Sequence, residues 1–311
     1  MKIAIIIPYF GKLPNYFPLF LKSVEYNSNI DFIFYTDQKI NSSSSNIIVN
    51  QMTFKELNLR IKENFDFPIA LDTPYKLCDF KPAYGEIFHD DLVDYDFWGH
   101  CDVDMIFGDI GTFINEDILR NFDKVYEYGH LCLYRNDFNV NSLYRNTDVI
   151  DYKKVYQNKG SWCFDEKYGI QKIFDYHEMK TYKKIDMLDI SPQHFRLQRV
   201  LDGEVKNYKY QIFTYEKGHI YLFYKNLTEK LVLKKEFLYI HLQKRPMSIE
   251  TDDMECYVIT SNSFEKKEFG EEVTKEDFLK YDKKSLLKEL QFFIKNQRYQ
   301  FSRRIHKYLN F

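Results

Sequence analysis

Residues 95–104 read Tyr-Asp-Phe-Trp-Gly-His-Cys-Asp-Val-Asp, an aromatic and apolar stretch that ends in two aspartates separated by one residue. The stretch up to Cys101 predicts a buried strand, which leaves Asp102 at its carboxyl end. Successive side chains of an extended chain point to opposite faces, so Asp102 and Asp104 share one face. In open α/β sheets, ligands bind outside the carboxyl ends of the strands. The segment therefore predicts a strand with a binding site at its end.

The residues before this segment alternate between strand and helix patterns. Residues 3–7 are an apolar run closed by Pro8, and residues 32–35 form a second run that leads to Asp37. Such runs are typical of strands buried in a parallel sheet, and a helical pattern at residues 16–24 separates them. The alternation therefore predicts an α/β fold of the doubly wound type. If the strands are parallel, Pro8, Asp37 and Asp102 surround one crevice.

Residues 90–109 contain seven aspartates and no lysine or arginine. Crowded carboxylates repel one another unless a cation compensates their charge. Oxygen ligands of this kind suit Mg²⁺ and Mn²⁺. We therefore predict a Mn²⁺ or Mg²⁺ site with Asp102 and Asp104 as ligands. The alternative is a solvated acidic loop in which an aspartate caps a turn.

Several longer motifs are similar to those of a known enzyme family. They are PYKLCDFKPAYG at residues 74–85, FWGHCDVD at 97–104, FDEKYG at 164–169 and YIHLQKR at 239–245. With these motifs the chain resembles bacterial glycosyltransferases from capsular and other surface-polysaccharide gene clusters, which look like enzymes of the GT-A (nucleotide-diphospho-sugar transferase) fold. The resemblance implies an open mixed sheet flanked by helices. The resemblance implies glycosyl transfer but not the donor or the acceptor. We predict that a sugar, in our interpretation a galactose form, moves from a UDP-linked donor to a lipid-linked or oligosaccharide acceptor. We predict inversion at the anomeric carbon.

The resemblance also implies roles for residues of the last motif. GT-A enzymes place a histidine after a late strand as a metal ligand and a basic residue on the diphosphate. His241 matches the first role, and Lys244 or Arg245 matches the second. Imidazole is a suitable Mn²⁺ ligand beside carboxylates. The alternative is a packed histidine followed by a surface Lys-Arg pair.

The nucleotide side of the site is predicted near the first strands. Asp37 is expected to accept a hydrogen bond from the nucleobase, and a turn-capping role is its alternative. Base and ribose contacts are predicted for Pro8, Tyr9 and Phe10, with one of the two aromatic rings stacked on the base. Ribose or diphosphate contacts are predicted for Asp79 and Lys81, for which an ion pair at a helix start is the alternative.

The acidic pair Asp165-Glu166 is the candidate general base. An inverting transfer needs a carboxylate that takes the proton of the acceptor hydroxyl, and either residue suits that role. The pair opens a helical pattern, so helix capping is the alternative. Trp162 is expected either to stack on the acceptor sugar or to lie in the core. Asp189 is a lesser candidate for the base, and His130 is expected to be structural.

The composition excludes several classes of protein. A net charge of −2 argues against a general nucleic-acid binder. The five cysteines are scattered without a C-x-x-C pair, which argues against a disulfide framework and a zinc finger and favours a reducing compartment. No stretch has the apolar length of a signal-peptide core or a membrane span. We therefore expect a cytoplasmic protein.

The end of the chain is predicted to be an appendage. We predict a catalytic domain over residues 1–250 and a basic, largely helical appendage over residues 251–311. Residues 283–311 contain eight lysines and arginines against one glutamate, and their apolar residues recur at helical spacing. Such a helix would contact the anionic inner leaflet as a peripheral membrane anchor. The alternative is a helix docked on the catalytic domain.

Together these features predict a metal-dependent glycosyltransferase of the hexosyltransferase type. Two alternative functions remain open. A metal-dependent phosphatase or phosphotransferase also uses D-x-D after a strand, but its motif normally follows the first strand. A non-catalytic glycan-binding or assembly protein on the same fold would bind nucleotide without turnover.

Overall fold

The structure is a computed structural model that describes residues 1–200, 202, 205–225, 231–294 and 297. The chain forms two compact units that alternate along the sequence. Unit 1 comprises Met1–Leu13, Asn27–Asp102 and Ile114–Ile185, and unit 2 comprises Pro14–Tyr26, Val103–Phe113 and the chain from Asp186 onward. Among the described residues, no helix has the length and apolar character needed to cross a membrane.

Short strands occur from one end of the described chain to the other. The first are β1 (Ile3–Tyr9), β2 (Ile30–Thr36), β3 (Ile47–Gln51), β4 (Phe97–Cys101) and β5 (Met105–Phe107). Next are β6 (Lys124–Val125), β7 (Leu131–Arg135), β8 (Thr181–Tyr182), β9 (Leu188–Asp189), β10 (Gln211–Glu216) and β11 (His219–Lys225). The last are β12 (Val232–Phe237), β13 (Tyr239–His241), β14 (Ser248–Glu250), β15 (Cys256–Ile259) and β16 (Ser263–Lys266).

The helices are short. They are α1 (Phe17–Glu25), α2 (Phe54–Lys62), α3 (Leu77–Phe80), α4 (Tyr84–Ile87), α5 (His89–Leu92) and α6 (Ile110–Phe113). They continue with α7 (Glu116–Asn121), α8 (Phe138–Ser142), α9 (Tyr152–Gln157), α10 (Ile170–Tyr176) and α11 (Lys275–Tyr281). Residues 286–294 are also helical.

Unit 1 is built on a seven-stranded sheet in the order β3-β2-β1-β4-β7-β6-β8. β1 pairs in parallel with β2 and β4, and β2 pairs in parallel with β3. β7 runs antiparallel to β4 and β6, so the sheet is mixed. The first two strands are mostly apolar and largely buried on both faces, as continuous apolar runs predict. The predicted α/β class and open mixed sheet are confirmed.

One face of this sheet carries the main core of unit 1. Side chains of β1, β2, β4 and β7 pack there with helical residues from α2 to α10. Its centre is aromatic: Phe80 stacks on Tyr156 with ring centroids 4.3 Å apart, and Trp98 stacks on Tyr134 at 4.4 Å. Offset ring pairs add to the free energy gained by burial, by about 1 kcal/mol each. These contacts fix α3 and the strand β4, which lead to the predicted site.

Unit 2 contains two further sheets. One has six strands in the order β12-β11-β10-β15-β16-β14, and the other has three in the order β5-β13-β9. Most pairs of the larger sheet are antiparallel, and only β14 and β16 pair in parallel. Apolar side chains of both sheets share a core with Tyr16 and Leu19 from the α1 region. This core holds the small sheet that carries His241.

The chain after residue 250 differs from the predicted helical appendage. β15 is hydrogen-bonded between β10 and β16, so the predicted boundary lies inside one sheet of unit 2. Tyr257, Val258, Ile259 and Phe264 are all buried there. The strands are too short for their period-2 pattern to stand out in the sequence, and their pairing partners are distant in the chain. The structure shows helices only from α11 onward in this part of the chain.

Candidate functional site

The carboxyl ends of β1, β2 and β4 lie side by side in unit 1. Tyr9 is opposite Thr36 in the β1–β2 pair, and Ile6 is opposite His100 in the β1–β4 pair. Residues that follow these strands therefore share one edge of the sheet. Asp37 is exposed at this edge, and Asp102 directly follows β4. The parallel pairing on which the predicted crevice depends is confirmed.

The aromatic residues at the end of β1 differ in their surroundings. Tyr9 is half-buried, and its hydroxyl donates to the carbonyl oxygen of Lys12 at 2.9 Å. Phe10 is buried and meets Phe54 edge to face, with ring centroids 5.5 Å apart. Phe10 therefore belongs to the core, which favours Tyr9 for the predicted stacking on a base.

Lys81 connects three chain segments of unit 1. Its ammonium group donates to Asp102 Oδ1 at 2.9 Å and to the carbonyl oxygen of Gly129 at 2.8 Å, and lies 3.0 Å from Asp165 Oδ2. An ammonium group has three protons, and these three acceptors match them. Lys81 is buried, whereas the Asp102 side chain is 37% exposed. This geometry gives Lys81 a positioning role for Asp102 and does not favour the predicted ribose or diphosphate contact.

The cluster shifts the pKa values of Lys81 and Asp165. Burial alone would lower the pKa of Lys81, but the charges of Asp102 and Asp165 outweigh it and hold this pKa well above its usual value. For Asp165, burial prevails over the opposing effect of Lys81 and raises the pKa to about 7. A carboxyl group that titrates near neutral pH is suited to take up and release a proton.

Gly129 allows the acidic pair to approach the backbone closely. A Cβ atom at this position would lie 2.5 Å from Asp165 Oδ2 and 2.9 Å from Glu166 Oε1. The N–H of Gly129 also donates to Glu166 Oε2 at 3.0 Å. A side chain at residue 129 would therefore displace both carboxylates. Because α10 begins at Ile170 with Gly169 as its N-cap, the acidic pair does not cap this helix.

Asp79 has contacts that differ from the predicted ones. It is fully buried, and its Oδ2 lies 2.7 Å from the Lys76 ammonium nitrogen. It also accepts hydrogen bonds from the backbone N–H groups of Trp162 and Phe164, both at 2.9 Å. Both carboxylate oxygens are thus engaged within unit 1, which does not favour the predicted nucleotide contact. Asp79 instead holds the segment that leads to Asp165.

In unit 2, the three-stranded sheet brings Asp104, His241 and Asp189 together. β13 lies between β5 and β9, with His241 opposite Met105 on one side and opposite Asp189 on the other. The Nε2 atom of His241 lies 3.4 Å from Asp104 Oδ1, and its Nδ1 atom lies 2.8 Å from Asp189 Oδ1. A carboxylate on the second ring nitrogen is the usual device that orients a metal-binding histidine.

The turn after β13 completes the contacts of Asp104. Gln243 and Lys244 have φ values of 48° and 56°, a left-handed conformation that is strained for residues with a Cβ. The Lys244 N–H donates to Asp104 Oδ2 at 2.6 Å, and the Gln243 side-chain amide donates to Asp189 Oδ1 at 2.8 Å. Lys244 itself is exposed. The turn thus fixes both carboxylates around His241.

Arg245 does not point to this cluster. Its guanidinium is buried and donates to four backbone carbonyl groups, those of Ser191, His194, Phe195 and Ser261. Burial lowers its pKa to about 10. Because these bonds connect separate parts of the backbone of unit 2, Arg245 has a structural role. The predicted diphosphate contact therefore applies to Lys244 alone.

The donor set around His241 fits a cation. Burial alone would lower the pKa of His241, but Asp104 and Asp189 raise it to about 10. Two carboxylates therefore stabilise a positive charge at this imidazole. A divalent ion would replace the proton, since metal binding and protonation compete for the same nitrogen. One carboxylate oxygen and one imidazole nitrogen are suitable donors for Mn²⁺ and fit the predicted metal.

Comparison with known proteins places the chain in a family. A family model described as "Family of unknown function (DUF6625)" matches residues 5–268. The chain belongs to this family. No curated protein matches this member of DUF6625. The family has no assigned function, so the surface-polysaccharide reaction implied by the motifs stays a proposal.

The solved structures to which the DUF6625 chain is similar include two glycosyltransferases. One is the galactosyltransferase LgtC in complex with donor and acceptor sugar analogues, at 11% identity over 61% of this chain and 75% of that chain, with a TM-score of 0.34. The other is the apo form of the glycosyltransferase GlyE from Streptococcus pneumoniae TIGR4, at 14% identity over 59% of this chain and 45% of that chain, with a TM-score of 0.32. Both TM-scores are low, so neither similarity assigns a reaction to this chain.

Two residues of this DUF6625 chain have roles that the motifs did not indicate. Asp189, a lesser candidate for the base, orients His241, and Lys81 holds Asp102 beside Asp165. The register of β9 with β13 reveals the first role, and no local sequence pattern encodes it. A lysine followed by proline at the start of a short helix gives no sign of its three partners.

Proposed function

We propose that this chain is a metal-dependent hexosyltransferase with a GT-A fold. It moves a sugar from a UDP-linked donor, a galactose form, to a lipid-linked or oligosaccharide acceptor in surface polysaccharide biosynthesis. The observation that carries the proposal is the contact of Asp104 with His241, whose imidazole Asp189 fixes from the other side. The D-x-D motif thereby acquires the histidine that a metal site for a nucleotide-sugar would need.

The proposed ligands of a Mn²⁺ or Mg²⁺ ion are Asp102, Asp104 and His241. Asp102 is included because one residue separates it from Asp104 in the sequence, and its side chain stays partly exposed beside Lys81. A bound ion would act as a Lewis acid that stabilises the diphosphate leaving group. Lys244, with its exposed side chain, is the proposed additional cation for the diphosphate.

The nucleoside is proposed to bind at the carboxyl ends of β1 and β2. Asp37 is exposed at the end of β2, where a carboxylate would accept a hydrogen bond from an N–H of uracil. Pro8 and the half-buried Tyr9 offer a flat surface for the base at the adjoining end of β1. Phe10 would support this surface from the core.

The proton of the attacking hydroxyl is proposed to pass to the acidic pair Asp165-Glu166. The raised pKa of Asp165 supports Asp165 as the base. The greater exposure of Glu166 supports Glu166 in this role. Both are fixed, since Asp165 contacts Lys81 and Glu166 accepts from the Gly129 N–H. In either case the base removes the proton of the acceptor hydroxyl, and the acceptor oxygen displaces UDP from the anomeric carbon with inversion.

The phosphatase rival is less well supported. It requires the first aspartate of D-x-D as a nucleophile after the first strand, but Asp102 follows β4 and is hydrogen-bonded to Lys81. The second rival, a non-catalytic glycan-binding protein, differs only in turnover. Assay of UDP release and of inorganic phosphate release from a generic phosphate ester distinguishes all three.

The decisive test is the melting temperature of the protein with nucleoside diphosphates and Mn²⁺. Ligands that bind only the folded state raise it, and we expect UDP with Mn²⁺ to raise it more than either alone. Asp104→Ala should lose the metal-dependent part, whereas Asp90→Ala, at an exposed aspartate of α5, should keep it. If no nucleotide stabilises the wild-type protein in the presence of metal, the proposal fails.

The helix at residues 286–294 supports a location at the inner leaflet of the membrane. Glu289 accepts from the N–H groups of Phe195 and Arg196, and Phe292 contacts the ring of Phe195, so one face packs on the rest of unit 2. A different face carries exposed apolar side chains, namely Leu286, Leu287, Leu290, Phe293 and Ile294. At 100° per residue these span an arc of about 120°.

The charge of this segment agrees with an anionic surface. Lys283, Lys284 and Lys288 lie at or near the start of the helix, in a terminal region rich in basic residues. The predicted contacts of Lys295, Arg298, Arg303, Arg304 and Lys307 lie outside the described residues. We propose that the apolar arc enters the headgroup region and brings the enzyme to a lipid-linked acceptor.

A further inference from the structure

Trp162 is a large aromatic side chain in an exposed position. It is 52% exposed, whereas the only other tryptophan of the chain, Trp98, is 0% exposed. The exposure excludes the core position that the sequence left open for Trp162. An indole ring is rarely left in water without a partner, because it loses the large gain from its burial.

The backbone that carries Trp162 is held rigidly by a buried ion pair. Lys76 and Asp79, both buried, contact each other, and Lys76 also donates to the carbonyl oxygens of Val155 and Gly160 at 2.9 and 2.7 Å. Asp79 binds the N–H groups on each side of Cys163, those of Trp162 and Phe164. This buried ion pair binds four backbone groups of one segment. It therefore fixes the backbone position from which the indole side chain extends.

The residues that precede Trp162 in the chain are polar. Residues 157–160 are exposed and consist of Gln, Asn, Lys and Gly, and Ser161 is half-buried. A polar segment that ends in one exposed aromatic side chain does not itself provide the extended apolar patch of a protein interface. The next polar groups along the chain are the carboxylates of Asp165 and Glu166, which follow the buried Phe164.

A flat apolar face carried three residues before a pair of carboxylates matches the chemistry of a sugar ring. The C–H groups of a pyranose pack on an aromatic face, and its hydroxyl groups donate to carboxylates. A nucleobase would fit an aromatic face too, but its proposed position is at the ends of β1 and β2, beside Tyr9 and Asp37. The acidic pair is the proposed base, so a ring on Trp162 belongs to the acceptor.

We propose that Trp162 is the stacking platform for the pyranose ring of the acceptor glycan. This inference rests on the proposed function for the direction of transfer. Trp162 positions the ring, and the carboxylates of Asp165 and Glu166 face its hydroxyl groups. The Lys76–Asp79 pair acts through the backbone and positions the indole.

The first test uses the fluorescence of the protein itself. Because Trp98 is fully buried, collisional quenching by acrylamide reports on Trp162. Methyl glycosides and disaccharides of galactose, glucose and N-acetylglucosamine serve as probes at millimolar concentration. We expect at least one of them to protect Trp162 from the quencher in the wild-type protein with UDP and Mn²⁺ present. Unchanged quenching across the whole panel, in a protein that UDP and Mn²⁺ do stabilise, overturns the inference and leaves the proposed function intact.

The second test separates acceptor binding from donor binding. Trp162→Ala should raise the acceptor KM about tenfold or more, since stacked aromatic contacts are worth roughly that factor, while the thermal shift with UDP and Mn²⁺ stays unchanged. Trp162→Phe should restore part of the loss. Tyr176→Ala, at an exposed aromatic residue of α10, is the matched control and should leave KM unchanged. An unaltered KM in Trp162→Ala contradicts the platform, and a lost UDP shift assigns Trp162 to the donor instead.

Discussion

At the scale of single residues, electrostatics governs the candidate site. Lys81 is a buried cation whose burial is compensated by Asp102, Asp165 and a backbone carbonyl. Such clusters add little net stability, but removal of one member leaves an uncompensated charge. The same balance sets the ionisation of Asp165. Lys81 and Asp165 therefore carry predictions about stability and about pH dependence.

We expect Lys81→Met to lower the free energy of unfolding by about 3 kcal/mol, because Asp165 loses its buried partner. Chemical denaturation measures this change. Lys39→Met, at an exposed lysine, is the control and should stay within about 0.5 kcal/mol of the wild type. The double variant Lys81→Met/Asp165→Asn should recover part of the loss. Additive effects of the two substitutions would show that the residues are not coupled.

The pH dependence of kcat tests which carboxylate is the base. A base must be deprotonated, and the raised pKa of Asp165 leaves it protonated below about pH 7. If Asp165 is the base, kcat falls about tenfold for each pH unit below 7 and is constant above it. Glu166→Gln should then keep this profile, and Asp165→Asn should abolish turnover. A flat profile between pH 5.5 and about 8, with activity lost in Glu166→Gln, would assign the role to Glu166.

At the scale of secondary-structure elements, short strands position the residues around His241. β13 has only three residues, yet its pairing with β5 and β9 sets the neighbours of His241. The left-handed turn that follows brings the Lys244 N–H to Asp104. The helix at residues 286–294 acts differently, since it presents an apolar face that no described residue covers. The pairing of β13 and the apolar face of this helix each support one prediction.

Asp189→Asn should weaken Mn²⁺ binding about tenfold to a hundredfold, because the orienting carboxylate of His241 is lost. Titration of Mn²⁺ followed by electron paramagnetic resonance measures the affinity without any need for activity. Asp252→Asn changes an exposed aspartate of unit 2 and should have no effect. An unchanged Mn²⁺ affinity in Asp189→Asn would contradict the orienting role of Asp189 at a metal-bound His241.

The full-length double variant Leu286→Ser/Leu290→Ser should lose flotation with vesicles that contain phosphatidylserine. The two substitutions remove apolar area from the exposed arc and leave all basic residues in place. Leu279→Ser, at an exposed leucine of α11, is the matched control and should float like the wild type. Vesicles of phosphatidylcholine alone test the electrostatic part. Undiminished flotation of the double variant would contradict membrane contact through this arc.

At the scale of the whole molecule, the order of the chain does not follow the order of the folded units. Each unit is assembled from three separate chain segments. The D-x-D motif lies at a change of unit, with Asp102 as the last residue of one segment and Val103 as the first of the next. The strands after residue 250 complete a sheet that begins with β10. Truncation therefore tests the limits of the folding unit.

A chain that ends at residue 250 should fail to fold cooperatively, whereas one that ends at residue 284 should fold. The shorter chain lacks β15 and β16, and with them four buried side chains, Tyr257, Val258, Ile259 and Phe264. Their burial contributes about 6–12 kcal/mol in total, which is comparable to the stability of a typical domain. Thermal unfolding followed by circular dichroism measures both chains. Equal cooperativity would support the domain boundary predicted from the sequence.

The sequence by itself determined the α/β class, the first strands and the candidate metal ligands. Continuous apolar runs and helical periodicity are local properties, so β1, α1, β2 and β4 were predictable from neighbouring residues. Asp104 and His241 were predicted from motifs, and both stand in the same cluster of unit 2.

Only the tertiary structure decided which neighbours each polar group has. In the sequence, Asp79 and Arg245 resemble ligand-binding residues. In the structure both are buried and hydrogen-bonded to backbone groups. Asp189 was a lesser candidate until strand register placed it against His241. The physical reason is that hydrogen-bond partners of buried groups are set by contacts between residues far apart in the chain, which no local pattern encodes.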